Sequence, residues 1–251
     1  KIIILIPVFN DWESLNKLIL EINKNLKDFR DISVDCYVIN DASTIKQSNL
    51  LKPKYINSLK ILNMIKNKGH ARCNAFGIRY IHNNEKFNNL ILMDGDGEDR
   101  PEEIIDLVDK IQLNPEASVV AKRVKRSEGF FFKFLYLMHK ILTLIFTGKK
   151  VNFGNYSCLT KKDVGKIHSE ASLWSSYSGT VIKNISNFNK INSIRGKRFF
   201  GPSKMSFFNL VIHSLSIIAV FKYDVFLRSS IFFIVLIILP IIPSQITMIL
   251  Q

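Results

Sequence analysis

Residues 94–99 read Asp-Gly-Asp-Gly-Glu-Asp, four carboxylates in six positions, directly after the apolar run 90–93. The 251-residue chain that contains them carries a formal net charge of +14. Carboxylates at i and i+2 just past a strand can both turn toward one hard cation. Mg2+ and Mn2+ sites characteristically combine one or two carboxylates with phosphate oxygens. Asp94 and Asp96 are therefore candidate metal ligands, and Gly95 and Gly97 would let a ligand approach the backbone closely. A divalent ion held there would neutralise a diphosphate and stabilise its departure. An EF-hand reading matches Asp94, Asp96 and Glu98 to loop positions 1, 3 and 5. It fails at Asp99, where glycine is required, and at Ile105, where the bidentate glutamate belongs. On this stretch alone, a solvated acidic loop leading into the helix at Pro101 stays open.

The elements that must hold these residues alternate. Short buried strands are expected at 2–6, 34–39, 60–65, 89–93 and 118–121. A helix stripe of Leu15, Leu18, Ile19, Ile22 and Leu26 follows a cap at Asn10 or Asp11, and a second helix runs from about Gly69 to His82. Pro101 sits at a helix N1 position with Glu102 and Glu103 in the first turn. Strands alternating with helices imply right-handed crossovers and a mainly parallel sheet. Ligands of such sheets bind outside the carboxyl ends of the strands. Asn10-Asp11, Asn40-Asp41 and Asp94-Gly95-Asp96 all fall at such ends, which places one site on one edge.

Hydrophobic residues make up 47% of the chain, enough for a sizeable core. Cys36, Cys73 and Cys158 are scattered and lack metal-ligand spacing, so they read as reduced thiols on the cytoplasmic side of a membrane. The basic balance fits anionic lipid or phosphorylated ligands. Nucleic-acid signatures are missing from the sequence, and nucleic acid is not an expected partner. The chain starts at Lys1 without Met or signal peptide and ends inside an apolar run, so a fragment of a longer protein is expected.

The second half is more apolar. Phe130–Phe146 carries Lys133, Tyr136, Lys140 and Thr143 as one polar stripe, which suits a helix lying in a membrane interface better than one crossing it. Phe207–Phe221 has the narrow stripe Asn209, His213 and Ser216 and is expected to be interfacial too. Ser229–Leu250 has no charged residue and is long enough to span a bilayer. His70, His139 and His213 are expected to be ordinary surface or interface residues.

Four stretches, "LIPVFND", "VINDAST", "NKGHARCNAFG" and "ILMDGDGEDRPEE", occur in that order at strand–loop junctions over residues 2–104. In these the sequence resembles the family-2 glycosyltransferases. The resemblance implies a GT-A fold, Rossmann-like with a mainly parallel sheet, carrying amphipathic interface helices and a C-terminal transmembrane helix. Its divisions would be a catalytic domain over 1–200, a second interface helix within 201–224, and a membrane segment, cut short, over 225–251. The resemblance further implies a nucleotide-diphosphate sugar donor and Mg2+ or Mn2+ as cofactor. Pro7, Asp11, Asp41, Arg72 and Asp94 would bind the donor, with Asp94 and Asp96 as the DXD motif. Glu98 stands where the lipid-phosphate branch usually has Gln, and by that likeness would join Asp94 and Asp96 as a metal ligand.

"RFFGPSKMSFFNL" looks like a stretch of the dolichol-phosphate mannose synthase and polyprenyl-phosphate glycosyltransferase group. By that likeness Arg198 lies near the donor phosphates and acts in catalysis with Asp96. Arg123 and Arg126 of "AKRVKR", together with Lys133, Ser203 and Lys204, would receive the acceptor phosphate. "VNFGNYSCLTKKDV" departs from that group's pattern, with Asn152 in place of Asp and Ser157 in place of Arg.

The residues add an independent argument about the acceptor. A sugar hydroxyl needs a general base, yet residues 130–228 hold only Asp163, Glu170 and Asp224 as carboxylates. A lipid phosphate is already an anion near neutral pH. The expected reaction is inverting transfer to a polyprenyl phosphate at the inner membrane, with the catalytic domain in the cytoplasm and the lipid bilayer as a partner. Transfer to a saccharide or other hydroxyl is the alternative, and a non-catalytic binder of nucleotide sugars is a third reading. The sequence leaves the oligomeric state open.

Overall fold

The computed structural model describes residues 1–29, 32–47, 53–125, 130–201 and 207–238. Its strands form one seven-stranded sheet in the order β3-β2-β1-β4-β6-β5-β7. The strands are β1 (Ile2–Val8), β2 (Val34–Asn40), β3 (Ser58–Asn63), β4 (Asn89–Leu92), β5 (Ser118–Lys125), β6 (Phe153–Thr160) and β7 (Phe188–Ile194). β1 is buried at every position because helices cover both faces of the sheet, which suits a continuous apolar run. Its even residues Ile2, Ile4, Ile6 and Val8 face α1 (Trp12–Asn25) and α3 (Ile104–Leu113). Its odd residues Ile3 and Leu5 face α2 (His70–Asn84), α5 (Lys161–Ile167) and α6 (Tyr177–Asn184). The result is a three-layer helix–sheet–helix stack.

The β3-β2-β1-β4 half is parallel, as the alternation of elements predicts. The other half is mixed: β6 runs antiparallel to both β4 and β5, and β7 returns parallel to β5. The buried polar groups of β6 are satisfied within this half. Ser157 Oγ and Tyr177 Oη share a hydrogen bond at 2.6 Å. Ser118 Oγ donates to Asp163 at 2.6 Å and accepts the Thr160 N–H at 3.1 Å. With these groups satisfied, "FGNYSCLT" can sit inside a sheet despite its composition.

α2 approaches the sheet through Gly77, where a Cβ would lie 2.9 Å from Leu5 Cδ2 and 3.0 Å from Ile39 Cγ1. Both neighbours belong to central strands and cannot retreat. Gly77→Ala should therefore cost about 1–3 kcal/mol by overpacking, read as a fall in thermal midpoint. An unchanged midpoint would mean the helix can slide off the sheet.

The apolar segments of the second half form three helices, α4 (Phe130–Thr147), α7 (Phe207–Ala219) and α8 (Lys222–Ile238), each touching the other two. This corrects the expected stripe on α4 at Thr143, while Lys140 is exposed and the side chains of Lys133 and Tyr136 lie outside the described set. Thr143 is buried and Thr147 Oγ1 donates to the Thr143 carbonyl at 2.6 Å. Leu137, Met138, Ile141, Leu142, Leu144 and Ile145 face outward instead. The polar threonines satisfy themselves within the helix, so they can turn toward α7 and α8.

α8 also begins earlier than the expected span at Ser229. Val220 and Phe221 are buried and anchor a turn, after which the helix restarts at Lys222 and takes in Asp224 and Arg228. Arg228 lies against Gly148, just past the end of α4, where a cation suits the helix dipole. α8 has no buried residue. Among the described residues no helix is long and apolar enough to cross a membrane, and residues 239–250 of the expected span lie outside them. Cys36, Cys73 and Cys158 are free and buried, and burial raises each thiol pKa, which removes them as surface labels.

Candidate functional site

The carboxyl ends of β1, β2 and β4 deliver Asp11, Asp41 and Asp94–Asp99 to one edge, as the strand alternation requires. Asn10 (φ 51°) and Ala42 (φ 54°) both adopt left-handed backbone there. Such a conformation is costly for alanine and concentrates at working sites. The two loops are stitched together. Asn10 Oδ1 accepts the N–H groups of Thr44 (2.8 Å) and Ile45 (3.0 Å), and the Asn10 N–H donates to Ser43 Oγ at 2.8 Å. Pro7 lies within β1, and its carbonyl oxygen is where a Cβ on Gly95 would come to 2.9 Å. The acidic loop can approach β1 because residue 95 has no side chain.

Asp41 is buried, and its two oxygens accept the N–H groups of Lys68 (2.7 Å) and Gly69 (2.8 Å). It thus fixes the turn that starts α2, where Gly69 holds φ +86°. Arg72, on the first turn of α2, donates to the Lys68 carbonyl at 3.0 Å. Asp11 stands at the N-cap of α1 but makes no capping bond. Its carboxylate is taken by Arg198, with Nη2 at 2.6 Å from Oδ2.

Arg198 is the centre of the arrangement. Its Nη1 lies 2.6 Å from Asp96 Oδ2, so one guanidinium bridges Asp11 and Asp96 across 187 and 102 residues of chain. Its Nε is buried without a hydrogen-bond partner. Arg198 belongs to a strap that follows β7 and lies over the acidic loop. The Gly196 N–H donates to the Glu98 carbonyl (2.8 Å) and the Phe199 N–H to the Asp96 carbonyl (3.0 Å). Arg195 binds Glu98 through Nε (2.8 Å) and Nη2. Phe199 packs on Gly97, whose φ of +88° and missing side chain leave room for the ring. Lys17 Nζ stands 4.7 Å from the centroid of Phe199.

Asp94 and Asp99 form the inner wall. Asp99 Oδ2 accepts the Asp94 N–H at 2.9 Å, and Asp99 Oδ1 pairs with Arg123 at 3.1 Å. Because β6 is reversed, its start lies beside the end of β4, and Asn155 Nδ2 reaches Asp94 Oδ1 at 3.3 Å. His70, at the start of α2, brings Nε2 to 2.9 Å from the same oxygen.

These contacts set the charge states. Burial opposes the charge on Asp94, but His70, Arg123 and Asn155 outweigh it and hold the carboxyl below its usual range. Burial and then the Asp94 charge push Asp96 up to about 6. The same two causes, burial first, raise Asp99 to about 7. Burial also opposes a charge on His70, yet Asp94 raises its pKa. Desolvation lowers the pKa of His213, and the His70 charge adds to that.

The structure thus gathers Pro7, Asp11, Asp41, Arg72, Asp94, Asp96, Glu98 and Arg198 at one edge. Arg123 lies behind the acidic loop on Asp99. The position of Lys133 falls in α4 with its side chain outside the described set, and Arg126, Ser203 and Lys204 lie outside the described residues. Sequence reasoning missed Arg195, Asn155, Asp99 and His70. His70 was expected to be ordinary, but the turn fixed by Asp41 carries it to Asp94. The signal available was its place in "NKGHARCNAFG", directly after Gly69.

Among the described residues, no group of three or more His, Cys, Asp or Glu side chains is closed around a cation position. Asp96 is drawn to Arg198 and Glu98 to Arg195. That still fits Mg2+ or Mn2+, which need one or two protein ligands when phosphate supplies the rest. Two buried atoms without hydrogen bonds mark the opening: His70 Nε2, of metal-ligand type, and Arg198 Nε, of phosphate-donor type.

Similar proteins carry this architecture. Glucosyl-3-phosphoglycerate synthase from Mycobacterium tuberculosis, solved with Mn2+, uridine-diphosphate-glucose and phosphoglyceric acid, is 12% identical with a TM-score of 0.61, over 90% of this chain and 79% of that one. A mannosyltransferase from Pyrobaculum calidifontis, solved with GDP-Man and Mn2+, is 10% identical with a TM-score of 0.54, over 100% of this chain and 80% of that one. At such identities the likeness is one of fold. The uncharacterized glycosyltransferase YkcC of Bacillus subtilis (strain 168) is 28% identical over 139 residues, which are 52% of this chain. The aligned part spans only 39% of that relative's length. Residues 3–176, most of the three-layer domain with its acidic loop and β6, match the domain described as Glycosyl transferase family 2, and the chain belongs to that family.

Proposed function

We propose that this protein is a metal-dependent, inverting glycosyltransferase that moves a sugar from a nucleotide-diphosphate sugar to a polyprenyl phosphate at a membrane surface. The observation that carries the donor half is Arg198, a guanidinium held between Asp11 and Asp96 with a buried Nε left open. A diphosphate oxygen suits that donor, and its charge can replace the carboxylates that Arg198 now binds. The loops of Asn10 and Asp41 would seat the nucleoside, and the fixed turn at Gly69 would orient it. A bound Mn2+ or Mg2+ would supply charge neutralisation to the departing diphosphate.

In the transfer itself, an oxygen of the acceptor phosphate forms a bond to the anomeric carbon from the face opposite the diphosphate. The anomeric C–O bond breaks and its electron pair leaves on the diphosphate. No proton has to be removed, which agrees with the state of the carboxylates. Asp94, Asp96, Glu98 and Asp99 are each engaged by a cation or a hydrogen-bond donor. Asp163 is bound to Ser118 and Lys166. Transfer to a hydroxyl is the second reading.

The membrane half rests on α4, α7 and α8, whose outward residues include Leu137, Ile145, Leu215, Phe226 and Phe232, all more than half exposed. An apolar face of that extent marks an interaction surface, and interfacial helices bind lipid through it. Cytoplasmic residence is part of the same proposal, since nucleotide sugars must reach the site.

The test is to give the protein labelled nucleotide sugars with long-chain polyprenyl phosphate, a short soluble prenyl phosphate, or a saccharide. Label should enter the lipid phase as an acid-labile sugar phosphate. Leu137→Ser, Ile141→Ser and Ile145→Ser together should reduce transfer to the long acceptor at least about tenfold through lost apolar burial, with little loss on the short one. Equal losses on both would remove the interfacial role of α4. Label only in saccharide would favour the hydroxyl reading.

A further inference from the structure

His70 is the least expected member of the acidic edge. Its Nε2 lies 2.9 Å from Asp94 Oδ1 as an ion pair, in an alignment that falls short of a regular hydrogen bond. The atom is buried, although part of the imidazole ring is exposed. A buried ring nitrogen with only a poorly aligned partner has a cost. Two ligand atoms held at right angles about 2.1 Å from one octahedral ion are about 3 Å apart, which is the observed spacing. Both atoms are fixed from behind. Asp94 is held by Asn155 and by its own N–H to Asp99. His70 is held by the α2 turn that Asp41 closes through Lys68 and Gly69.

We propose that His70 Nε2 is a direct ligand of the divalent cation beside Asp94, so that the protein half of the site is one imidazole and one carboxylate, with Asp96 joining when Arg198 moves to the donor diphosphate. This deepens the glycosyltransferase reading above and rests on it for the diphosphate. Its chemical consequence is selectivity. Imidazole nitrogen suits later transition metals best and Mn2+ least among them, but Mn2+ still accepts nitrogen more readily than Mg2+, which prefers octahedral oxygen. The site should therefore favour Mn2+ over Mg2+ more strongly than a pair of carboxylates would.

The test reads the metal and not the reaction. Full-length protein is loaded with Mn2+ alone, and with Mn2+ plus inorganic pyrophosphate, and its electron paramagnetic resonance is searched for 14N hyperfine coupling. Wild type should show coupling to one imidazole. His70→Gln, which keeps a polar side chain of similar reach, should lose it and bind Mn2+ about 10–100-fold more weakly, while Mg2+ affinity changes by less than about threefold. His213→Ala should keep the coupling. A thermal midpoint for His70→Gln within a few degrees of wild type secures the comparison, and His70→Ala serves if that variant misfolds. Mn2+ bound without nitrogen coupling, coupling that survives His70→Gln, or no Mn2+ binding with or without pyrophosphate would each overturn the assignment. Absence of sugar transfer with nitrogen coupling intact would instead count against the transferase reading and leave His70 as a ligand.

Discussion

Asp96→Asn should lower sugar transfer by about 10²–10³-fold, the scale on which a single preorganised electrostatic group acts in a desolvated site, while making the metal-free protein more stable at neutral pH. Both effects have one origin. Asp96 is a carboxylate that burial and the charge of Asp94 disfavour, which is why its pKa is pushed up to about 6. A carboxyl whose folded pKa lies above its unfolded value near 4 binds its proton more tightly in the native state. The stability from that proton is present below about pH 4 and is lost as pH rises through about 6. At pH 7.5 the native protein therefore carries an unfavourable charge. Asparagine removes that charge and keeps an oxygen for the Glu98 N–H, which Asp96 Oδ1 now accepts at 2.9 Å. Melting curves of metal-free protein should place the variant above wild type at pH 7.5 and level with it near pH 4. Undiminished transfer would end the metal-site reading, and a lower midpoint at pH 7.5 would show that the Arg198 pair outweighs the repulsion.

Arg198→Ala is expected to act in opposite directions on the two ligands. It removes the bridge between Asp11 and Asp96 and leaves both carboxylates without their cation. The apo protein should lose about 1–3 kcal/mol, between the values for exposed and fully buried pairs. Donor binding and transfer should fall by about 10²-fold, because the open Nε and its charge are gone. Mn2+ affinity in the absence of donor should rise by about tenfold. A competing charge at contact distance is worth a few kcal/mol near a surface, and each 1.4 kcal/mol is a factor of ten. Calorimetric titration of Mn2+ into the variant and wild type, each with and without nucleoside diphosphate, separates these effects. Weaker Mn2+ binding in the donor-free variant would show that Arg198 organises the metal site rather than competing with it.

Much of this was legible from residue pattern. β1, β2 and β4 announced themselves as short apolar runs because helices bury both faces of a parallel sheet. The strand ends then had to converge, which put Asp11, Asp41 and Asp94 together before any contact was known. β6 was not legible, because its burial depends on partners distant in sequence: Ser157 on Tyr177, and Thr160 through Ser118. β7 is an edge strand of largely half-buried and exposed residues, and its weak pattern reflects that. Asp11 looked like a helix cap, and its position is that of one, but its carboxylate was claimed by Arg198 far along the chain. The α4 stripe misled because threonine can bond its own helix and turn inward. His70 was missed because its place after Gly69 marks a helix start, but that the buried Asp41 fixes this turn and aims the ring at Asp94 depends on residues far apart in sequence.

The reversed placement of β6 also shapes how the molecule can be made. β4 must wait for β6 to cover one side, and 60 residues separate Leu92 from Phe153. At ribosomal rates of about 5–20 residues per second, that interval is roughly 3–12 seconds. Throughout it the nascent sheet β3-β2-β1-β4 presents an open edge made of Leu90, Ile91 and Leu92, residues with no charge to deter pairing with another chain. Translation speed and chaperone occupancy over residues 93–160 therefore bear directly on yield, and a truncation placed between β4 and β6 would keep the parallel half of the sheet yet leave its growing edge sticky.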